Sequence, residues 1–502
     1  MLEQIPFIST IVFTPLVTAV LLMLLPPERK TAIRVISAIA ACITMVLSIY
    51  LFFAYNQAQG GYQFTERTDW IPQLGISYFV GVDGLNLPLV VLTGIVAFTG
   101  VLVSWGIEDR PREFFTFFFI LVTGVFGVFV SLDLFLLFFF YELAVFPMYL
   151  LIGIWGWPVT REYAAMKLTL YLLVGSVFSL VGALAMYFSY TTPQGTHTFD
   201  MLELARAGFS PDFQRLWFLP TFLGFAVLAG LWPFHNWSPD GHVAAPTAVS
   251  MLHAGVLMKL GAYSALRVGV ILLPEGAKTF LPFIVMLAVV NVVYGAFIAM
   301  IQRDFKYVIG FSSVSHMGLV SLGFATMNHY GWVGAGLQMF SHGIMTALFF
   351  AVVGMVYDRA HIRDIPQLGG MVRKMPWAAV AFIIGGLVSM GMPGFSGFVS
   401  ELPIFIGAWR AGSIAAWYPV IAVVAALFGI PVTAAYIMRV VGRVFFGELP
   451  PQFAHIPGIT VQDKIALAIL VFFLIGLGVY PRIMADLIGV GVRPFLAALG
   501  GA

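Results

Sequence analysis

Residues 113–155 read EFFTFFFILVTGVFGVFVSLDLFLLFFFYELAVFPMYLLIGIW, two apolar runs joined by the short segment Ser131-Leu132-Asp133. Each run has roughly the 20 residues that an α-helix needs to cross the hydrocarbon core of a bilayer. Inside a bilayer every backbone polar group must bond within the protein, so successive runs of this length indicate spanning helices. The stretch therefore predicts a polytopic, all-α membrane protein.

The same pattern continues along the chain of 502 residues, of which 60% are hydrophobic and only 10% charged. Soluble domains carry about 25% charged residues. The first run is predicted to be a retained helix and not a signal peptide, because it is long and lacks a small-residue cleavage site. The 20-residue rule predicts about fourteen spans, at residues 5–26, 32–55, 81–105, 113–131, 133–155, 165–190, 216–233, 246–269, 279–302, 305–326, 333–357, 377–407, 418–440 and 463–487.

Basic residues are distributed unevenly between alternate loops. Lys and Arg accumulate in the cytoplasmic loops of membrane proteins. We therefore predict that the odd-numbered loops are cytoplasmic, that both termini lie on the outer side, and that the chain resides in the inner (plasma) membrane. The odd loops hold Arg29, Lys30, Arg34, Arg110, Arg112, Arg161, Arg303, Lys306, Arg359, Arg363, Arg373, Lys374, Arg439, Arg443 and Lys464, whereas the even loops hold fewer, such as Arg67, Arg206, Arg215, Lys278 and Arg410.

Several classes of function are disfavoured. The net charge of +2 leaves no basic patch for a nucleic acid. The single cysteine, Cys42, lies in an apolar run and can neither form an internal disulfide nor hold an iron–sulfur cluster alone. No P-loop or dinucleotide motif occurs in the sequence, and the segment from His235 to His242 has no third clustered ligand for a metal. The chain is predicted to bind no cofactor and no metal.

Two spans are interrupted in a related way, at Gly230-Leu231-Trp232-Pro233 and at Gly391-Met392-Pro393-Gly394. The breaks lie five helices apart, and a repeat of an odd number of helices must be inverted in the membrane. Broken helices at matching positions of an inverted repeat indicate an ion site. Two ordinary proline kinks are the alternative, because they would give the same sequence pattern. The predicted units are 1–112 with helices 1–3, 113–275 as the first five-helix repeat, 276–445 as the second, and 446–502 with the last helix and a short tail.

Three ionisable residues lie within predicted spans: Glu142, Lys259 and Glu401. A charge at the bilayer centre costs about 2.5–3.5 kcal/mol on insertion scales, so three cost on the order of 10 kcal/mol. We interpret them as groups that face a wet interior and exchange protons. A structural ion pair between helices is the alternative, and Glu401 is the one expected nearer the outer surface.

Histidines and two further lysines extend this set. His253, His316 and His342 fall within or near spans, and a neutral imidazole can accept on one nitrogen while donating on the other, as a proton wire requires. Packing histidines with ordinary hydrogen bonds are the alternative. Lys167 and Lys306 lie near cytoplasmic helix ends, where they either snorkel to the interface or mark a proton entry.

Some polar residues have simpler interpretations. Asp133 precedes a span and is predicted to be its N-cap. Ser312, Ser313 and Ser315 lie beside His316. They either extend a polar file or bond back to their own helix backbone.

At this point the motifs resemble a known family, the antiporter-like subunits of respiratory complex I, and among them the subunit M (mitochondrial subunit 4) group. The resemblance covers roughly residues 76–445. Its marks are Gly81-Val82-Asp83-Gly84-Leu85-Asn86-Leu87, Ser131-Leu132-Asp133-Leu134-Phe135, Tyr141-Glu142-Leu143, Arg161-Glu162-Tyr163-Ala164-Ala165 before Lys167, the segment His235 to His242 with Ala245-Pro246-Thr247-Ala248, Phe311-Ser312-Ser313-Val314-Ser315-His316-Met317-Gly318, and Gly391-Met392-Pro393-Gly394 with Glu401.

The resemblance implies a role for each residue. Glu142 would modulate the channel lysine or a neighbouring subunit, Lys259 would be the central lysine, and Glu401 the exit-side glutamate. His316 and His342 would be central histidines. NADH oxidation and quinone reduction would occur on other subunits, and this chain would move protons beside subunit L-like and N-like partners in the bilayer.

One departure matters. The family usually has a lysine in the first broken helix, and that place falls here on Leu228, whereas His253 stands where subunit M usually has an apolar residue. Either the proton path is rerouted through His253 and Lys259, or the channel has lost its pumping function and the chain is a scaffold. A subunit of a multisubunit cation/proton antiporter or of a membrane-bound hydrogenase is the other reading.

Overall fold

Helices make up most of the chain between residues 6 and 499, the part that a computed structural model of the protein describes. The first helix begins at Phe7, whereas residue 5, where the predicted first span 5–26 starts, lies outside the described part, as do residues 1–4 and 500–502. The first half contains α1 (Phe7–Met23), α2 (Lys30–Ala54), α3 (Leu87–Val103), α4 (Pro111–Val130), α5 (Leu134–Trp155), α6 (Arg161–Ser189), α7 (Met201–Leu204), α8 (Pro211–Ala229), α9 (Trp237–Ala244), α10 (Thr247–Leu252) and α11 (Met258–Ser264).

The second half continues the same helical architecture. Within residues 6–499, eleven helical segments are long and apolar enough to cross a membrane, and further apolar helices are shorter. The polytopic helical class predicted from the sequence is confirmed. The remaining helices are α12 (Pro274–Ile301), α13 (Phe305–Ala325), α14 (His329–Ala360), α15 (Pro376–Ser389), α16 (Ser396–Arg410), α17 (Tyr418–Val440), α18 (Val461–Val479) and α19 (Arg482–Ala498).

Short segments of tighter or wider helix complete the assignment. π-helical segments cover His253–Leu257, Ala265–Val270 and Val441–Phe445. Single 3₁₀ turns cover Pro72–Leu74, Ser104–Gly106, Ile365–Gln367, Met371–Arg373, Ala411–Ser413 and Pro451–Phe453.

A β-hairpin occupies the long polar stretch before α3. Strand β1 (Gln63–Ile71) pairs antiparallel with β2 (Ile76–Val82), and the turn between them closes at Gly75 with a left-handed φ of 64°. The predicted span 81–105 therefore began too early, because Gly81 and Val82 belong to β2. Hydropathy alone could not separate a buried apolar strand from the helix that follows it.

The C-terminal region also differs from the prediction. The single predicted helix 463–487 is two helices, α18 and α19, which meet at Tyr480-Pro481. Proline lacks the N–H that would continue the first helix, so the chain turns there. The predicted short tail is consequently helical through Ala498.

The loops segregate onto two faces of the bundle, as alternating spans require. On one face the Trp157 N–H donates to the Ala244 carbonyl at 2.7 Å, and Arg363 donates to the Val243 carbonyl at 3.0 Å. All of these belong to odd-numbered loops or adjoin them. We call this surface the odd-loop face.

The even-numbered loops meet at the other end. The Leu132 N–H donates to the Phe79 carbonyl at 2.8 Å, and Arg67 pairs with Asp200 at 2.7 Å. These contacts tie the hairpin to the loops after α4 and α6. This surface is the even-loop face.

Two N-caps at opposite faces have the same construction. The Asp133 carboxylate accepts from the Leu136 N–H at 3.0 Å, which confirms the predicted cap of α5, and Asp304 caps α13. Asp133 forms an isolated β-bridge with Asp200, and Asp304 forms one with Asp364. Burial raises the pKa of both the Asp133 and the Asp304 carboxyl.

The two helix breaks are alike as well. Helix α8 ends at Ala229 and is followed directly by Gly230 with φ 75°. Helix α15 ends at Ser389, and two residues later Gly391 has φ 65°. Glycine adopts this left-handed conformation without a steric cost, so it stops a helix within apolar sequence.

Candidate functional site

Lys259 lies on an irregular helix, composed of α10, the π-segment His253–Leu257 and α11. In the π-segment the Met258 N–H bonds to the His253 carbonyl, five residues back. The Ala254 carbonyl instead accepts from the Lys259 ammonium at 2.5 Å. The wider turn therefore supplies the buried lysine with a backbone acceptor, and π-segments of this kind often occur at functional sites.

The second partner of Lys259 is a histidine on α14. Lys259 Nζ lies 2.8 Å from His342 Nδ1, and both residues are buried. Among residues 6–499 no carboxylate lies within 4.0 Å of this ammonium, since no ion pair there includes it. The alternative of an ion pair with Glu142 is therefore wrong, and the lysine is held by neutral acceptors.

From His342 the polar row continues toward α16. The rings of His342 and His316 have centroids 5.3 Å apart. His316 Nδ1 lies 3.3 Å from Glu401 Oε1, and its Nε2 lies 3.0 Å from the Ser389 hydroxyl. Lys259, His342, His316 and Glu401 thus form one buried row, which we call the central row.

A small cavity adjoins the end of the central row. It is lined by His316, Ser389 and Glu401 among others and has a volume of about 10 Å³. A cavity needs roughly 10–15 Å³ to hold one water molecule. Glu401 is 3% exposed, so its side chain faces the interior of the bundle.

On the other side of Lys259 two histidine rings lie together. His253 packs against Trp237 with centroids 5.2 Å apart and against His242 at 4.1 Å. Neither ring nitrogen of His253 has a hydrogen-bond partner in the described part of the chain. A buried polar atom without a partner is costly, which indicates a place that a water molecule could satisfy.

The two predicted entry lysines differ. Lys306 is buried and donates to the Ala245 carbonyl at 2.7 Å and to the Ser250 hydroxyl at 3.2 Å, so it does not snorkel. Lys167 is partly buried and pairs with Asp240 at 2.7 Å, beside the Tyr307 hydroxyl that donates to the same carboxylate at 2.8 Å.

A cavity of about 590 Å³ opens on the odd-loop face and reaches Lys306. Its lining includes charged groups, Asp358 and Arg363 among them, and the indole-bearing residues Trp155 and Trp157. A polar cavity of this size can hold many water molecules. Lys306 therefore lines this cavity, which we call the vestibule.

Glu142 does not lie where the sequence reasoning expected it. It is exposed on the outer surface of α5, with Phe139 and Phe146 on the same side of the helix. The neighbouring Tyr141 points inward and is buried. The predicted shared interior therefore contains Lys259 and Glu401 but not Glu142, because α5 is apolar all round and its pattern could not reveal which face is inside.

The serines beside His316 do not extend the central row. Ser313 bonds back to the Ile309 carbonyl at 3.1 Å, and Ser315 donates to the Val292 carbonyl at 2.8 Å. Ser312 lies 2.7 Å from the Tyr436 hydroxyl. Ser312 and Ser315 therefore contact neighbouring helices, and Ser313 bonds within its own helix.

Sequence reasoning missed several polar neighbours of the central row. Gln338 and Ser400 contact each other, and Gln338 Nε2 lies 3.2 Å from His316 Nδ1. Gln338 precedes His342 by four residues and so shares its helix face, which is a signal that could have identified it. Ser389 and Ser400 flank the second break and gave no such signal. Among the described residues, no cluster of three or more His, Cys, Asp or Glu could hold a metal ion.

Comparison with known proteins adds an independent observation. The model of the NADH:quinone oxidoreductase/Mrp antiporter transmembrane family matches residues 131–430. NAD(P)H-quinone oxidoreductase chain 4 of Gloeobacter violaceus is 36% identical over 97% of this chain and 92% of its own length. Chain 4-2 of the same-named enzyme in Synechocystis sp. is 37% identical over 90% of this chain and 80% of its own length.

Solved structures share the architecture. A chain of respiratory complex I from Thermus thermophilus superposes with a TM-score of 0.88 at 26% identity, covering 99% of this chain and all of that one. A chain of the Mrp complex from Dietzia sp. gives a TM-score of 0.85 at 20% identity, covering 98% of each chain. The second similarity shows the fold alone.

Proposed function

This chain belongs to the NADH:quinone oxidoreductase/Mrp antiporter transmembrane family, and on that premise we propose that it is a proton-translocating membrane subunit of an NAD(P)H- or NADH-quinone oxidoreductase. The relatives that are similar over nearly the whole length carry that enzyme's name. NADH oxidation and quinone reduction take place on other subunits in this proposal. The chain's own task is to move protons across the membrane.

The observation that carries the proposal is the buried contact of Lys259 with His342, 2.8 Å apart, in line with His316 and Glu401. Every member of the central row can hold a proton and release it. Desolvated cations are costly in the membrane, so a row of four titratable groups without a structural ion pair at Lys259 favours transport over anchoring.

Protons reach the row from the odd-loop face in our proposal. The vestibule ends at Lys306, whose ammonium bonds Ser250, and Ser250 donates to the His242 carbonyl at 2.8 Å. Water beside the unpartnered nitrogens of His253 would complete the link to Lys259. This route bypasses Leu228, which is buried and apolar, so we favour rerouting over loss of pumping.

The bundle consists of two inverted repeats in this proposal, residues 113–275 and 276–445, with one broken helix in each. The matching N-caps of α5 and α13 at opposite faces support it, because the second helix of each repeat starts with the same aspartate bridge. The odd-loop face is cytoplasmic by its basic residues. The partners would be L-like and N-like subunits in the inner (plasma) membrane.

A cation/proton antiporter subunit is the second candidate, since the Mrp complex chain has the same fold. Co-purification separates the two functions. A quinone oxidoreductase subunit isolates with flavin and iron–sulfur proteins, whereas an antiporter subunit does not.

The proposal is tested by the number of protons moved per NADH oxidised in membrane vesicles. Lys259→Leu should lower that ratio while the complex still assembles and NADH is still oxidised. Lys278→Leu is the matched control, because Lys278 is exposed and its one ion pair among residues 6–499 is with Glu275. An unchanged ratio in assembled Lys259→Leu complex would reject the proposed role.

A further inference from the structure

One nitrogen of His316 has two neighbours that make opposite demands on it. Nδ1 lies 3.2 Å from Gln338 Nε2 and 3.3 Å from Glu401 Oε1. The amide nitrogen can only donate, so its bond requires a lone pair on Nδ1. The carboxylate can only accept, so a bond to it requires a proton on Nδ1. The two bonds therefore exclude each other.

The orientation of the amide is fixed by a third residue. The Ser400 hydroxyl lies 3.0 Å from the Ser396 carbonyl and 2.9 Å from the Gly397 carbonyl, but its shortest contact is with Gln338 Oε1 at 2.5 Å. Donation along this shortest contact leaves the amide nitrogen turned to the imidazole. Gln338, Ser400 and His316 are all buried, so bulk solvent does not compete for these bonds. In this arrangement Nδ1 accepts from Gln338.

The rest of the ring agrees with that assignment. A neutral imidazole whose Nδ1 accepts carries its proton on Nε2. Nε2 lies 3.0 Å from the Ser389 hydroxyl, which can accept that proton's hydrogen bond. Glu401 Oε1 has no hydrogen-bond partner within residues 6–499, as expected if Nδ1 does not donate to it.

We propose that Gln338 is a positioning residue that holds His316 in the Nε2–H tautomer and so keeps the step from His316 to Glu401 closed at rest. This inference rests on the proposed function, since it concerns the direction of proton movement along the central row. Gln338 acts through His316 and carries no proton itself.

In this step the proton is bound and released by the same atom, His316 Nδ1. A proton leaving His342 binds Nδ1, the only ring nitrogen of His316 with a lone pair, and displaces the Gln338 amide. The imidazolium then releases the Nδ1 proton to Glu401 Oε1, where an O–H bond forms as the N–H bond breaks. The neutral Nε2–H tautomer returns, and the Gln338 amide bonds Nδ1 again.

Ser400 links this switch to the second broken helix. While Nδ1 is protonated, the amide nitrogen faces another donor, so Gln338 turns. The Ser400 hydroxyl then accepts from the amide nitrogen and donates to the Gly397 carbonyl, 2.9 Å away, in place of Gln338 Oε1. Ser400 lies on α16, one residue before Glu401. Movement of α16 at the break would therefore change the amide, the imidazole and the acceptor carboxylate together.

The tautomer is measured by ¹⁵N magnetic resonance of the full-length chain in lipid vesicles. The chain is labelled with ¹⁵N-histidine, nine residues in all, and His316→Leu identifies the signal of interest. We expect wild type to give Nε2–H, and Gln338→Glu, which places an acceptor at the same site, to give Nδ1–H. Wild type with Nδ1–H, or a Gln338→Glu signal identical to wild type, would overturn the proposal.

Proton leak gives a second readout. Without the Gln338 amide as a donor, Nδ1 of His316 is free. The passive proton conductance of vesicles without NADH should therefore rise several-fold in Gln338→Leu, and by less in Ser400→Ala. The control is Gln367→Leu, since Gln367 is exposed and, among residues 6–499, its side chain bonds only Asp364. Equal leak in Gln338→Leu, Ser400→Ala and wild type would also overturn it. The tautomer does not depend on pumping. An unchanged pumping ratio in Lys259→Leu would therefore reject the proposed transport function, while the role of Gln338 would be decided separately by the tautomer measurement.

Discussion

The Lys259 ammonium lies 2.8 Å from Nδ1 of His342 and bonds the Ala254 carbonyl, with both side chains buried. A permanently charged group at this place would need a carboxylate nearby to offset its desolvation. Its neutral surroundings suit a group that is charged only while a proton passes. Whether the side chain at position 259 can release its proton should therefore matter more than whether it carries a charge.

Lys259→Arg tests that difference. Arginine stays protonated in proteins, so it keeps the charge but cannot release a proton. We expect the protons moved per NADH to fall as far in Lys259→Arg as in Lys259→Leu. The measurement is proton uptake by vesicles, normalised to NADH oxidation. If Lys259→Arg still pumped protons, the positive charge at this position would be sufficient, and release of a proton from it would not be required.

His253→Leu tests the rerouted entry. Leucine can fill the space against Trp237 and His242 but provides no nitrogen to bind water. We expect the complex to assemble and the pumping ratio to fall, because the route from Lys306 to Lys259 passes this ring. His455→Leu is the control, since His455 is exposed in the loop before α18. A normal ratio in His253→Leu would end the rerouting hypothesis.

Apolar run length locates most of the spanning helices, because they obey a simple length rule. The same property hides which face of a helix is inside. Lys259 and Glu401 were correctly expected in the interior, whereas Glu142 lies on the surface of α5. Which face of such a helix lies inside depends on packing between helices. A uniformly apolar helix has no hydrophobic periodicity that would reveal that face.

The irregular parts were harder to predict for a different reason. The π-segment whose Ala254 carbonyl bonds Lys259 has no characteristic residue composition that would distinguish it from an ordinary helix in the sequence. The contact of Gln338 with His316 joins α14 to α13 and is set by tertiary structure. By contrast, the break at Gly391 was visible from the sequence because glycine and proline act locally.

Removal of Arg267 should destabilise the fold. Its guanidinium pairs with Asp83, is 1% exposed, and donates to the hydroxyls of Tyr62 and Tyr263 at 3.0 Å each. Breaking a buried pair on one side leaves an unpaired buried charge and costs about 3–5 kcal/mol. We expect Arg267→Leu to lower the free energy of unfolding by that amount, measured by denaturant titration of tryptophan fluorescence in detergent.

The control for this effect is a double variant. Arg267→Leu with Asp83→Leu removes both charges and should recover part of the loss. Lys278→Leu, which breaks the exposed pair with Glu275, should cost less than about 1 kcal/mol. A single Arg267→Leu variant as stable as wild type would contradict the conclusion that this buried pair stabilises the fold.

Glu142 should matter to the assembled complex and not to the fold of the chain. A carboxylate on an outward face between Phe139 and Phe146 would meet lipid in an isolated chain, which is costly. A neighbouring subunit with a polar or cationic group at this level would remove that cost. We expect Glu142→Gln to leave the free energy of unfolding of the chain within about 0.5 kcal/mol but to weaken its association with neighbouring membrane subunits. Retention of those subunits on detergent extraction measures the association, with exposed Glu162→Gln at the start of α6 as the control. If Glu142→Gln and Glu162→Gln retained partners equally, Glu142 would have no place in an interface, and its exposure would have to be explained by lipid contact alone.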